Sequence, residues 1–442
     1  MFKTLKNAWG VPEIRKKILF TLFIIIIFRM GSAITVPFLD TTLISQWMSE
    51  KAQNGNFLEY LNILSGGALA KATIFSLGVT PYINASIIIQ LLTYALPPLE
   101  RLQQEGEDGR KKLNTITTCV SLGLSAFMAT AYYITLKKSA NAVKYTEGGE
   151  GVLAMFVIIL CFMAGASLVI WLGNRINEHG IGNGISMILF AGICARIPID
   201  IGTLGGLVIS DANAYFIKVV VYLLIFVAMI VGIVFMNESE RRIPIQYAKR
   251  VVGRKQYGGQ NTHIPIKICM SGVMPIIFAM SFMSLPSMFT MFWPPVEAIT
   301  DTTTGGQKFY YNFVHFFNTR SYSYAVVYFI LIILFNYFYV AIQYNPVEMA
   351  NNLRQSNGGI PGIRPGKPTS DYIQRVLSKI SLVGALFLGV VAVFPIIFLN
   401  LTTLDVSSMG GTSILIVVSV AIETVRTLES QLMMRHHKGF LG

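Results

Sequence analysis

The chain has 442 residues, 53% of them hydrophobic and only 13% charged, with a mean hydropathy of +0.58. That balance lies far outside the soluble globular norm and marks a polytopic membrane protein. The formal net charge of +13 does not by itself imply nucleic acid, because the basic residues lie mainly between apolar runs, where membrane topology accounts for them.

The first 33 residues imitate a signal peptide, with a basic start, the run ILFTLFIIIIF and small residues at Gly31, Ser32 and Ala33. Arg29 interrupts the run and many spans follow, so an uncleaved first span is expected. Apolar stretches long enough to cross the hydrocarbon core as helices number ten: 18–38, 78–97, 113–136, 152–173, 184–203, 214–236, 268–291, 323–344, 376–398 and 410–428. Ten crossings put both termini on one side. The segments sharing that side carry 25 of the 35 basic residues, which predicts that both ends are cytoplasmic.

Residues 57–77, FLEYLNILSGGALAKATIFSL, interrupt this pattern. Gly66 and Gly67 break the apolar run, and Lys71 near a bilayer centre would cost about 3 kcal/mol. A short non-spanning helix is expected, either an exoplasmic loop helix or a re-entrant element closing a cavity.

The next stretch, GVTPYI at 78–83, recurs as GVMPII at 272–277, and GISMIL at 184–189 has a counterpart in GTSILI at 411–416. Each pair is five spans apart, an odd offset, so the two copies run in opposite directions. The expected fold is all-α and polytopic: ten transmembrane helices in two inverted halves, 1–209 and 210–442, with a functional site between them. The aliphatic residues Ile83, Ile277, Leu189 and Ile416 end these motifs, and Ile87 and Ile185 lie one turn away. Around a two-fold axis they can converge into a hydrophobic constriction. Thr80, Asn84, Ser86 and Gln90 would be costly toward lipid and are expected to face protein or a water-filled path.

Two cytoplasmic connections, 237–267 and 345–375, are much longer than the rest and hold 11 of the 25 basic residues on that side. The second contains Pro361, Pro365, Pro368 and four glycines, which preclude regular helix there. Elsewhere the chemistry is sparse. Cys119, Cys161, Cys194 and Cys269 show no CxxC spacing, the five histidines are scattered, and neither set defines a disulfide, metal or cofactor site. The spans carry almost no ionisable residues, which argues against an ion-coupled small-solute transporter with inverted repeats, the main alternative. No nucleophile, base and metal-ligand arrangement points to an enzyme. A third reading is an assembly scaffold or insertase without a through-path.

Over essentially its whole length the chain resembles the SecY family, the central subunit of the protein-conducting channel, and more closely its bacterial form. The resemblance rests on PYINASIIIQLL, EGEDGRKKLN, NGISMILFAGI, RRIPIQYAKR, THIPIKI, GVMPIIFA, NPVEMANNL, PGIRPG and GGTSILIVV. It implies a plasma-membrane channel subunit that passes unfolded secretory chains through a pore ring matching Ile83, Ile87, Ile185, Leu189, Ile277 and Ile416. It also implies a plug spanning Asn62, Ile63, Leu64, Ser65, Gly66, Gly67, Ala68, Leu69, Lys71 and Thr73. A lateral gate would lie between spans two and three on one side and seven and eight on the other, with Thr80, Asn84, Ser86 and Gln90 lining it. Docking of the SecA motor ATPase or the ribosome would fall to Arg241, Arg242, Lys249, Arg250, Arg254 and Lys255 in the first loop, and to Arg364, Pro365, Gly366 and Lys367 in the second. The implied partners further include the small subunits SecE and SecG, signal sequences and nascent polypeptides, and the lipid bilayer. No cofactor is implied. The run GGIPGIRPG lacks the aromatic residue that this family often carries after the paired glycines, a shortening at the tip of the second loop.

Overall fold

The structure is a computed structural model describing residues 8–52, 57–138, 140–145, 147–247, 250–252, 255–257, 261–292, 305–318, 321–402 and 411–436. In the first half the helices are α1 (Pro12–Gly31), α2 (Thr41–Ala52), α3 (Phe57–Leu64), α4 (Thr80–Ala95), α5 (Pro97–Gln104), α6 (Glu107–Lys138), α7 (Gly148–His179), α8 (Gly184–Cys194) and α9 (Ile197–Ser210). The second half holds α10 (Ala212–Glu238), strands β1 (Glu240–Tyr247), β2 (Arg250–Val252), β3 (Lys255–Tyr257) and β4 (Asn261–Lys267), then α11 (Met274–Phe292) and α12 (Gly305–Phe316). It closes with α13 (Tyr322–Gln343), α14 (Pro346–Gln355), β5 (Gly358–Gly359), α15 (Lys367–Thr402) and α16 (Gly411–His436).

Nine of the ten expected spans fall mainly on a single helix, whereas 184–203 is divided between α8 and α9 by a turn at Ala195 and Arg196. Among the described residues, six helical stretches are long and apolar enough to cross a membrane unaided. The other four depart for visible reasons. The helix α1 begins with Arg15, Lys16 and Lys17, and α16 carries Glu423, Arg426 and Glu429. The apolar part of α11 runs only from Met274 to Pro286. Between α4 and α5 the chain bends by 100°, because Leu96 precedes two prolines and takes an extended conformation, φ −114° and ψ 113°.

The repeated motifs share backbone geometry as well as letters. Gly78 and Gly272 both sit in the left-handed region, at φ +53° and +59°, where glycine avoids the steric cost of a Cβ. After each, the amides of residues four and five places on donate back to the valine carbonyl: Tyr82 and Ile83 to Val79, and Ile276 and Ile277 to Val273, at 3.1–3.2 Å. The same turn therefore launches α4 and α11.

Two expectations need correction. The segment 57–77 is not one helix: α3 ends at Leu64, and Gly66 and Gly67, at φ +68° and +87°, carry the chain into hydrogen-bonded turns up to Thr80. The first long connection, 237–267, is not merely a charged loop but a β-hairpin, in which β1 pairs antiparallel with β4 from Glu240 opposite Lys267 to Gln246 opposite Asn261. From the second connection, Gly358 and Gly359 add a third strand, opposite Tyr247 and Gln246. The stretch 356–366 is free of helix, as its glycines and prolines require, whereas α14 and the start of α15 occupy its flanks.

Candidate functional site: an aliphatic waist at the floor of a cavity

Asn183 fixes the start of α8 by accepting hydrogen bonds from the amides of Ile185 and Ser186, at 3.1 and 3.3 Å. Gly184 then lies so close to α7 that a Cβ there would stand 1.9 Å from the Gly173 carbonyl oxygen. Helix α8 is thereby pressed onto α7, and its buried residues Ile188, Leu189 and Ile193 join a cluster with Ile24 and Phe28 of α1, Val169 and Leu172 of α7, and Ile416 and Val420 of α16. A helix of the second half is thus packed into the core of the first. The second half has its own cluster, built on Ile276, Phe278, Tyr328, Ile332 and Leu388, and Ile87 of α4 is buried within it.

Ile83 and Val273 pack against both clusters, at their junction. Leu189, Ile277, Val273 and Ile416 line one cavity of about 750 Å³. Its other walls are Asn183 and Ser186, the base of the hairpin from Ile264 to Lys267, and Asn237, Ser419, Glu423 and Arg426. The cavity therefore joins the hairpin end of the molecule to an aliphatic floor. Of the six expected ring residues, Leu189, Ile277 and Ile416 line this floor and Ile83 adjoins it, whereas Ile87 lies in the second cluster. A Cβ on Gly173 would stand 2.7 Å from the Ile185 Cδ1, so Ile185 points back toward α7. Val273, the second residue of the repeat motif GVMPII, also lines the cavity, and its place early in the motif gives no sequence signal that sets it apart from an ordinary packing valine.

The segment expected to form a plug packs against the same waist. Leu64 is buried in the cluster that holds Leu189 and Ile416, while Leu61, Leu69 and Ala72 are buried in another with Tyr132, Leu136, Ile158 and Phe162. Gly66 is wedged where a Cβ would meet the Arg29 guanidinium at 2.7 Å and the Gly192 carbonyl oxygen at 2.8 Å. Internal hydrogen bonds hold the turns: the Ala70 amide donates to Asn62 Oδ1 at 2.9 Å, the Leu69 amide to Ser65 Oγ at 3.2 Å, and the Thr73 amide to the Ala68 carbonyl at 3.1 Å. External ones tie the segment down. The Val36 amide donates to the Ala72 carbonyl, the Ile74 amide to the Ile34 carbonyl, and the Tyr132 hydroxyl to the Leu69 carbonyl, at 3.0, 2.9 and 2.8 Å. Ile63, Ala68 and Thr73 are buried, and Lys71 is exposed.

Of the expected gate residues, Thr80 is buried at the start of α4, and Ser86 and Gln90 are half-buried. The Asn84 Oδ1 is sealed from solvent without a hydrogen-bond partner. Sequence reasoning missed an aromatic contact between the halves: Tyr94 of α4 meets Phe338 of α13 edge to face, with centroids 6.3 Å apart. No local pattern pairs residues so distant in the chain.

At the hairpin, Arg241 and Arg242 are exposed, and Arg242 Nε donates to Glu240 Oε1 at 2.7 Å. Arg250 and Lys255 lie on β2 and β3; Lys249 and Arg254 lie outside the described residues. Arg364, Pro365 and Lys367 are exposed beside Gly366, whose left-handed turn at φ +106° lets its carbonyl accept from the Thr369 and Ser370 amides and start α15. The hairpin base is locked to α16: Arg426 Nη2 donates to the Asn237 carbonyl at 2.8 Å and to Glu238 Oε1 at 2.9 Å, and Asn237 Nδ2 donates to Ser419 Oγ at 3.1 Å. Partial desolvation and then the neighbouring Arg426 push the Lys267 ammonium below its usual pKa.

The family model described as SecY matches residues 73–425, more than half of the chain. The chain belongs to the SecY family. The protein translocase subunit SecY of Mycobacterium tuberculosis strain H37Rv is 40% identical over 456 aligned positions that cover all of both chains. Among solved structures the fold is similar to that of a SecY protein whose plug domain stabilises the closed state of the translocation channel and maintains a membrane seal, with a TM-score of 0.62 and 16% identity over 96% of each chain. It is also similar to Sec61 in the canine ribosome–channel complex from the endoplasmic reticulum, with a TM-score of 0.60 and 15% identity over 96% of each chain. SecY chains are multi-pass membrane proteins, in keeping with the apolar helices here.

Proposed function

We propose that this chain is the protein-conducting subunit of a Sec translocase in the bacterial plasma membrane, with both termini cytoplasmic. Unfolded secretory chains enter through the cavity beside the hairpin and pass an aliphatic ring formed by Ile83, Ile277, Ile416 and Leu189, with Ile87 and Ile185 one turn away. The observation that carries this reading is the waist itself: a cavity of about 750 Å³ with mixed polar and apolar walls ends on Leu189, Ile277 and Ile416, and plug residue Leu64 packs in the cluster of Leu189 and Ile416. A narrow aliphatic constriction excludes hydrated ions by dewetting, yet makes no polar bond that would retain a passing peptide.

In this proposal residues 62–73 form the plug that backs the ring when the channel is idle. Halves 1–209 and 210–442 part along a lateral gate lined by Thr80, Asn84, Ser86 and Gln90, releasing hydrophobic segments into lipid. The unpaired Asn84 Oδ1 supports that role, because a buried acceptor without a donor disfavours closure. Arg241, Arg242, Lys249, Arg250, Arg254 and Lys255, with Arg364, Pro365, Gly366 and Lys367, dock the SecA motor or the ribosome. Cations on a hairpin tied to the second loop by β5 suit ribosomal RNA phosphate or an acidic motor surface. SecE and SecG complete the complex.

The test is ion conductance of the purified complex in planar bilayers, comparing wild type with the combined Ile83→Gly, Ile277→Gly and Ile416→Gly variant. A tight wild type and a leaky variant are expected. Negligible conductance in that variant even after deletion of 62–73 would remove the channel reading.

A further inference from the structure

We propose that α12 is an interfacial anchor whose aromatic face lies in the headgroup and acyl boundary of the leaflet across the membrane from the β-hairpin. The helix, GGQKFYYNFVHF, connects membrane-spanning helices α11 and α13. At 3.6 residues per turn its side chains divide into three sectors. Phe309, Phe313 and Phe316 fall within about 60° of one another, and all three are exposed, at 73%, 41% and 44%. Lys308, Asn312 and His315 occupy the adjoining sector of about 60° and are exposed as well. Tyr310, Tyr311 and Val314 occupy the remaining arc and are half-buried, with Gln307 of the first turn exposed among them.

A helix resting on protein in water needs two sectors, one packed and one polar. A third, aromatic and uncovered, calls for an apolar medium beside the polar one, which is the environment of a membrane interface. Continuity with the lipid-facing surface identifies that medium. On α13, Tyr322, Val326, Ile330 and Leu334 form an exposed stripe at intervals of four, at 60%, 60%, 56% and 56%, and this stripe begins six residues after Phe316.

The orientation of α12 is also fixed. Phe317 packs onto the core cluster of the second half and stands 5.0 Å from the Phe313 ring. Ser323 Oγ donates to the Phe316 carbonyl at 2.9 Å, joining the end of α12 to the first turn of α13. The aromatic face therefore holds α11 and α13 at a set height in that leaflet, with Lys308, Asn312 and His315 turned to water.

The experiment uses spin labels on single cysteines at 308, 309, 312, 313, 315 and 316, in full-length protein with Cys119, Cys161, Cys194 and Cys269 replaced by serine, assembled as the complete complex in lipid vesicles. The cysteine-free background must translocate a secretory substrate before labelling. Collision with oxygen, which concentrates in lipid, is compared with collision with a water-soluble nickel chelate. The oxygen-to-nickel ratio should be several-fold higher at 309, 313 and 316 than at 308, 312 and 315. A ratio favouring nickel at all six positions would put the helix in water and overturn the proposal. Labels at 309, 313 and 316 that are immobile and shielded from both reagents would overturn it in favour of a protein partner.

Discussion

Replacing Tyr132 by Phe removes one hydrogen bond to the proposed plug and little else. The hydroxyl donates to the Leu69 carbonyl at 2.8 Å, the ring is 1% exposed, and its packing against Phe162, 5.3 Å between centroids, survives the change. The Leu69 carbonyl also accepts from the Ala72 amide at 3.0 Å, so it is not stranded when the hydroxyl goes. The cost is therefore one net hydrogen bond, about 0.5–1.5 kcal/mol, rather than the larger penalty of an unpaired buried group. Water can solvate the carbonyl once the plug is displaced, so the loss falls on the closed state alone. The displaced population should rise about two- to tenfold, taking 1.4 kcal/mol per decade. Single-channel recording of the idle complex reads this as the frequency of spontaneous openings, with Tyr133→Phe, a neighbour in the same cluster, as control. In a background lacking residues 62–73, Tyr132→Phe should add nothing. If plug deletion leaks but Tyr132→Phe opens no more often than wild type, the hydroxyl does not help to hold the plug.

Other outcomes follow from the same geometry. A Cβ on Gly165 of α7 would stand 1.9 Å from the Ile74 carbonyl oxygen, so Gly165→Ala should cost about 1–3 kcal/mol through overpacking; an unchanged thermal midpoint of the detergent-solubilised complex would contradict this. Arg241→Glu with Arg364→Glu should weaken ribosome binding and flatten its log–log salt dependence by about one unit per cation; sedimentation binding across a salt series measures it, and an unchanged slope would take these residues out of a phosphate contact. Asp40 caps α2, its Oδ1 accepting from the Thr42 hydroxyl at 2.6 Å and the Thr42 amide at 3.0 Å, and these bonds lower its pKa. A carboxylate lowered in the folded state stabilises above its unfolded pKa and loses that contribution as pH falls through the folded one. Hydrogen exchange in the first turn of α2, corrected for intrinsic rate, should thus stay flat from neutral pH down to the ordinary carboxylate range, and should be faster throughout that range in Asp40→Ala.

What the sequence made legible was what its local patterns encode. Apolar length fixed the spans, and the Gly-Val-x-Pro repeat marked two helix starts that share a left-handed glycine at Gly78 and Gly272. The hairpin was legible but unread: Ile243 and Ile245 are buried while Arg242, Pro244 and Gln246 are exposed, a period-two alternation that a search for spans passes over. The end of α3 followed from Gly66 and Gly67, though an apolar run on either side invited a longer helix. Contacts joining distant segments left no local trace. Tyr132 to Leu69, Tyr94 to Phe338 and Arg426 to Glu238 each pair residues whose neighbours in sequence say nothing of one another.

Crosslinking of a secretory polypeptide stalled in transit tests the central claim most directly. Photoreactive residues would replace Ile83, Ile277 and Ile416 at the waist and, as controls, Leu224 and Ile330, which are 67% and 56% exposed on the lipid-facing surface. The account predicts that 83, 277 and 416 each capture the stalled chain while 224 and 330 do not. Capture at 224 and 330 equal to that at the waist, or none at the waist while the chain is demonstrably stalled, would mean that polypeptide does not pass between the two halves.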